Sequence, residues 1–198
     1  MNFFKKLFSP TTENNDNEQD TLTTTLECLS FDENFVQNFI KKGGKFLYCT
    51  HQEEVNQNLL NIINENHWEN VACLDDDLNK ILTIIGTNST SEIKKTTPFF
   101  TYCERLLSEE GSILFSSEQL YNNKIAHLPD YFIVFAKTSQ IVKNKSEGLM
   151  GIKDTYHKNF PTNISSIKSY MPEKVEEDFL SFGNNNAKNL YLLLLEDM

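Results

Sequence analysis

Apolar residues recur every three to four positions in four stretches of this chain, with short unbroken apolar runs between them. The first stretch is Phe31, Phe35, Phe39 and Ile40. It starts on the capping-box spacing Ser30-Phe31-Asp32-Glu33 and stops at Gly43-Gly44, which predicts an amphipathic helix. The second, Val55, Leu59, Ile62 and Ile63, follows another box-like start, Thr50-His51-Gln52-Glu53. The third, Leu78, Ile81, Leu82 and Ile85, runs from Asp75-Asp76-Asp77 to Gly86. The fourth, Leu149, Ile152 and Tyr156, predicts a helix over residues 146–158, weakened by Gly148 and Gly151. Between and beyond these, residues 45–49, 71–74, 99–101, 112–115, 131–136, 141–142 and 190–195 read as strands.

Helices alternating with strands predict an α/β fold, a mostly parallel sheet flanked by helices, with ligands collecting at the carboxyl ends of the strands. The polar residues 87–97 are expected to form a loop, residues 102–108 a helical turn, and residues 161–167 a hydroxyl-rich loop. Residues 173–182 are acidic and read as helical. At the start, Phe3, Phe4, Leu7 and Phe8 form a short amphipathic tag, and residues 9–21 are almost wholly polar. The expected organisation is a tag and linker over residues 1–21 and one domain over residues 22–198.

The 198 residues carry 18 basic and 28 acidic side chains, a net charge of −10. That balance argues against nucleic-acid and anionic-membrane surfaces, which favour basic patches, and fits a self-repelling cytoplasmic protein. No apolar run approaches the ~20 residues that span a bilayer. The cysteines Cys28, Cys49, Cys73 and Cys103 include no Cys-x-x-Cys pair, so neither a zinc knuckle nor an iron–sulfur cluster is written locally. Glycine-rich nucleotide loops and paired metal-binding histidines are missing too. No metal and no cofactor is expected.

The strongest chemical constellation is Glu109-Glu110-Gly111-Ser112, where a carboxylate stands beside a residue with no side chain to keep a substrate at a distance. The competing reading is a tight turn entering a strand, with both glutamates solvated. His127-Leu128-Pro129-Asp130 comes second: a histidine and an aspartate at a strand entrance suit acid–base work, and also suit a plain turn. His51 reads first as an exposed capping-turn residue, with a site role as the alternative, and Asp75-Asp76-Asp77 as acids stabilised by the helix dipole, with metal or ribose binding as the alternative.

Several segments resemble the LUD domain, the domain of the lactate-utilisation protein C family. They are the acid-x-Gly-Ser segment ending at Ser112, Leu128-Pro129-Asp130-Tyr131, Ser139-Gln140-Ile141-Val142 and the closing Leu190 to Glu196 run. The resemblance implies a fold similar to the sugar-phosphate isomerase and CoA-transferase superfamily. It also implies a part in oxidising L-lactate to pyruvate beside iron–sulfur subunits, with no cluster in this chain. Ser108-Glu109-Glu110-Gly111 is likewise similar to the Ser-Glu-Asn-Gly motif of class I CoA transferases, which makes Glu109 a candidate nucleophile. For a small carboxylate ligand the candidates are Gly111, Ser112, Lys124, His127, Asp130, Asn163 and Ser165. Lys124 stands near the place where many LUD domains carry an arginine, and Asn163 and Ser165 in place of their Ser-Arg-Thr loop. Two alternatives to the accessory subunit remain: a small enzyme using Glu109, and a ligand-binding module without turnover.

Overall fold

A computed structural model of the chain describes residues 30–95, 97–171 and 186–197. The tag, the linker and the acidic segment 173–182 lie outside the described residues. In chain order the elements are α1 (Phe31–Lys41), β1 (Lys45–Cys49), α2 (Gln52–Glu65), β2 (Asn70–Ala72), α3 (Asp76–Ile84), β3 (Asn88–Thr90), β4 (Phe99–Tyr102) and β5 (Arg105–Leu107). There follow β6 (Ser112–Ser116), β7 (Tyr131–Lys137), β8 (Ile141–Val142), α4 (Lys145–Tyr156), β9 (Ile164–Ile167) and β10 (Asn189–Leu195).

Six strands form one parallel sheet in the order β1-β10-β7-β4-β2-β3. Its centre is β10 against β7, seven residues in register from Asn189 opposite Tyr131 to Leu195 opposite Lys137. Both are continuous apolar runs because both faces of a parallel sheet are covered. Alternation then sends successive side chains to opposite layers. Ile133, Phe135 and Leu193 pack with Val55, Leu59 and Ile62 of α2 and Leu78 and Leu82 of α3. Phe132, Val134, Leu190 and Leu192 pack on the other side with Phe35 and Phe39 of α1 and with Ile113 and Phe115 of β6. Phe99 and Phe132 are fully buried, each burial stabilising by about 2–3 kcal/mol.

The second face is therefore shared between α1 and a second sheet of four strands, β8-β5-β6-β9. Strands β5 and β6 form an antiparallel hairpin, β8 lies parallel to β5, and β9 antiparallel to β6. Helix α4 covers the outside, where Ile152 meets Leu107 and Leu114.

The expected α/β architecture is present, and four local expectations change. Residues 88–90 of the expected loop form the edge strand β3, paired with β2. The expected helical turn over 102–108 is strand β5, because its backbone is taken up by β6 and β8. The hydroxyl-rich loop contains β9, which completes the second sheet through Phe115 and Ser116. The start of α2 is capped one residue out of the expected spacing: Glu54, not Glu53, accepts from the Thr50 amide at 2.6 Å and from its hydroxyl at 3.0 Å. By contrast, the box at Ser30 and Glu33 forms as the spacing predicts.

Candidate functional site

Glu109 and Gly111 lie in the four-residue turn 108–111 that joins β5 to β6, with Leu107 opposite Ser112 as the last pair. Gly111 adopts φ +55, and its carbonyl accepts the Tyr170 hydroxyl at 2.9 Å. The turn is pinned to α1. Asn38 donates to the carbonyls of Ser108 at 3.0 Å and Glu109 at 3.3 Å, and the fully buried Ser108 hydroxyl donates to the Phe31 carbonyl at 2.7 Å. Lys42 donates to the Glu110 carbonyl. The Glu109 side chain is exposed, and among the described residues nothing is hydrogen-bonded to it. Glu110 is engaged with Lys168 at 3.2 Å and with the Ser112 hydroxyl at 3.4 Å.

The other candidates sit elsewhere. Lys124 and His127 are exposed on a short 3-10 turn, Ile125–His127. Asp130 stands at the amino end of β7, the opposite edge of the parallel sheet from the expected ligand edge. There Lys188, 3% exposed, donates to the Leu128 carbonyl at 2.8 Å and approaches Asp130 at 3.6 Å. Burial lowers the Lys188 pKa, while Asp130 acts to raise it. Asn163 donates to Ser165 at 3.3 Å at the start of β9, beside Ser117 at the far end of β6 from Gly111. Five residues of β6 separate those ends by roughly 14 Å. The structure thus distributes Glu109, Gly111, Ser112, Lys124, His127, Asp130, Asn163 and Ser165 over separate places rather than around one cavity.

A cavity does occur at the carboxyl edge of the parallel sheet. It is a cleft of about 280 Å³ lined by Asp75, Thr101, Tyr102, Glu118, Gln119 and Tyr121. Three segments converge on it: the loop from β2 to α3, the end of β4, and the turn leaving β6. Asp75 caps α3, its Oδ1 accepting from the amides of Asp77 at 2.9 Å and Leu78 at 3.0 Å. Behind the cleft, Gln119 is locked from both ends. Its Oε1 accepts from the Ser116 amide at 2.7 Å and hydroxyl at 2.8 Å, and its Nε2 donates to Glu104 at 2.6 Å. Glu104, 5% exposed, accepts from Tyr156 of α4 at 2.7 Å through the same oxygen.

The field in the cleft is negative. Burial and then the charges of Asp75 and Asp77 push the Tyr102 phenol up to about 12, and burial followed by Asp75 raises that of Tyr121. Neighbouring Cys73 is driven up to about 11, chiefly by burial, which leaves it an inert thiol. Among the described residues no group of three or more His, Cys, Asp or Glu side chains is placed to hold a metal ion. No helix among them is long and apolar enough to cross a membrane.

Of this cleft the sequence marked only Asp75, as one of three acids at a helix start; in the structure its side chain caps α3. Glu104, Gln119, Tyr102 and Tyr121 carry no local signal. What gathers them is the pairing of β4 with β7 and of β5 with β6, together with the docking of α4.

The fold matches the crystal structure of a DUF162 family protein from Deinococcus radiodurans, with a TM-score of 0.60 and 12% sequence identity. That match covers 85% of this chain and 99% of that one. DUF162 is the older name of the LUD domain family. No protein-family model and no curated protein sequence matches the chain. At that identity the likeness establishes the fold.

Proposed function

We propose that this protein is a LUD-type accessory component of L-lactate oxidation, working beside iron–sulfur subunits and binding no cluster itself. The observation that carries the reading is the contiguity of the segments that resemble the LUD family. Ser108 and Glu109 donate their amides to the carbonyls of Val142 and Lys143, at 2.9 and 3.0 Å, which ties the hairpin turn to the Ser139–Val142 segment. Ser139 in turn donates its amide and hydroxyl to Asp197, at 2.9 and 2.7 Å, just past β10. Asn189 donates to the Asp130 carbonyl at 2.8 Å, which ties β10 to the Leu-Pro-Asp step. Segments scattered over about ninety positions thus meet as one connected unit, within a fold that covers nearly the whole of the DUF162 neighbour.

The described thiols support this reading: Cys49 and Cys73 are buried in the core on one side of the parallel sheet and Cys103 in the core on the other, so the three do not converge as one ligand set. Deleting the coding sequence and measuring growth on L-lactate as carbon source, with co-purification of the tagged chain, tests the reading. A specific growth defect and co-purifying iron–sulfur proteins are expected. Normal growth on lactate without such partners would remove it. Complementation with Glu109→Gln addresses the enzymatic alternative: full rescue leaves Glu109 as a turn residue, whereas failure by a folded variant supports carboxylate chemistry there.

A further inference from the structure

The geometry points to a binding site for a small organic cation, an ammonium or guanidinium group on a compact metabolite, in the cleft walled by Asp75, Glu118, Tyr102 and Tyr121. The assignment is independent of the lactate reading and goes beyond it.

Position is the first argument. The cleft lies at the carboxyl ends of β2 and β4, the edge where open parallel sheets receive ligands, because loops there diverge and leave a crevice. The second argument is construction. Gln119 cannot swing, being held at Oε1 by Ser116 and at Nε2 by the buried carboxylate of Glu104, which Tyr156 fixes in turn. Thr101, 3% exposed, bonds to the Gln119 carbonyl at 3.1 Å and closes the floor. A wall whose rotamers are set from behind is preorganised, unlike a fortuitous gap between surface side chains.

The third argument is charge. The lining residues bring two carboxylates and no lysine, arginine or histidine. Asp75 commits Oδ1 to its helix, and among the described residues Oδ2 has no partner. The Glu118 carboxylate is exposed at the rim, and nothing among the described residues is bonded to it. Burial is the larger cause of the raised phenols, but the charge of Asp75, which adds to it at both Tyr102 and Tyr121, would repel a bound carboxylate and attract a cation. Tyr102 and Tyr121 both line the cleft, and a tyrosine ring attracts a cation through its quadrupole, more strongly as water leaves. Asp75 and Glu118 are the two carboxylates that line the cleft, and among the described residues no group of three or more His, Cys, Asp or Glu side chains is placed to hold a metal ion. A volume of about 280 Å³ lies just below the usual range for ligand pockets, so the occupant is smaller than a drug-sized molecule.

Isothermal titration calorimetry on the full chain tests this with agmatine, putrescine and tetramethylammonium as probes, and L-lactate and calcium chloride as controls. Saturable binding of at least one organic cation is expected, with none for lactate. Asp75→Asn keeps a good helix cap while removing the charge. Combined with Glu118→Gln, it is expected to weaken the cation about tenfold or more, which is about 1.4 kcal/mol. Tyr121→Ala is expected to weaken binding, and Tyr121→Phe to retain it, because the ring face survives. Thermal melts confirm that each variant is folded. Lactate binding as tightly as the cations, calcium binding at the same residues, cation binding indifferent to Asp75 and Glu118, or no saturable cation binding in the millimolar range would each overturn the assignment.

Discussion

A methyl group at position 111 would reach the backbone of α1, 2.5 Å from the Asn38 carbonyl carbon and 2.6 Å from the Phe39 nitrogen. Gly86 also has positive φ, +73, yet nothing stands within 4 Å of its would-be Cβ. Comparing the two alanine variants separates backbone strain from docking. Gly86→Ala is expected to cost about 1 kcal/mol, the price of a left-handed conformation. Gly111→Ala is expected to cost about 2–4 kcal/mol, because overpacking adds to that strain. Urea denaturation measures both, and equal losses would mean that α1 yields freely. Glu109→Gln is expected to stay within about 0.5 kcal/mol of the parent, as exposed substitutions do. The turn was legible from Glu-Glu-Gly before an apolar run, since glycine there has a local cause. The cleft was not, because the burial of Glu104 is decided by Gln119 fifteen positions later and Tyr156 fifty-two positions later.

At the scale of elements, β6 and β8 of the second sheet were legible as strands, while its other two strands, β5 and β9, escaped the sequence. Arg105-Leu106-Leu107 is too short to display a period, and Ile164-Ser165-Ser166-Ile167 carries hydroxyls because its strand lies at an edge. Both become strands through their partners, β5 through β6 and β8, and β9 through β6, a tertiary effect that propensity does not record. Helices α1 to α4 were legible, since each carries an apolar face of its own. The Glu104 network joins the second sheet to α4, and its worth can be measured. Tyr156→Phe removes one donor to a satisfied carboxylate and is expected to cost about 1 kcal/mol. Glu104→Ala strands the Gln119 amide and the Tyr156 hydroxyl together and opens a void, for about 3 kcal/mol. Glu104→Gln retains an acceptor oxygen and should fall between them. Were Glu104→Ala to unfold at the urea concentration of the parent, the network would hold nothing together.

For the whole molecule, the alternation of helices and strands specified a parallel sheet but not its order. The last strand, β10, inserts between β1 and β7, and its place is set by long-range packing of Leu190, Leu192 and Leu194 rather than by neighbours in sequence. The assembled fold leaves a signature in its response to alkali. Tyr48, Tyr102, Tyr121, Tyr156 and Tyr170 all have their phenols raised, in every case first by burial; hydrogen bonds to Glu196 and Glu104 add to it at Tyr48 and Tyr156, and the charge of Asp75 at Tyr102 and Tyr121. Released by unfolding, each would titrate near 10. Above that value the folded chain therefore holds more protons than the unfolded one, and stability falls as pH rises. The raised phenols contribute fully below pH 10, and the contribution of Tyr102 is lost as pH climbs through about 12. Lys188 works the other way. Its lowered pKa means that the unfolded chain is the better proton binder just below 10.5, so its effect improves stability with pH there. Five phenols, together with the buried thiols of Cys49, Cys73 and Cys103, oppose one amine, and the sum is expected to be a loss of stability that begins near the thiol range, about pH 9, and steepens above about pH 10. Urea melts between pH 8 and 11.5, read beside phenolate absorbance at 295 nm, follow both quantities (the window and wavelength being roughly those of tyrosine ionisation). Absorbance from these five should lag in the folded state and appear together with unfolding. Asp75→Asn should bring the Tyr102 titration earlier, because it removes one of the charges that hold that phenol neutral. An unchanged Tyr102 titration in that variant would mean that Asp75 does not set the field in the cleft.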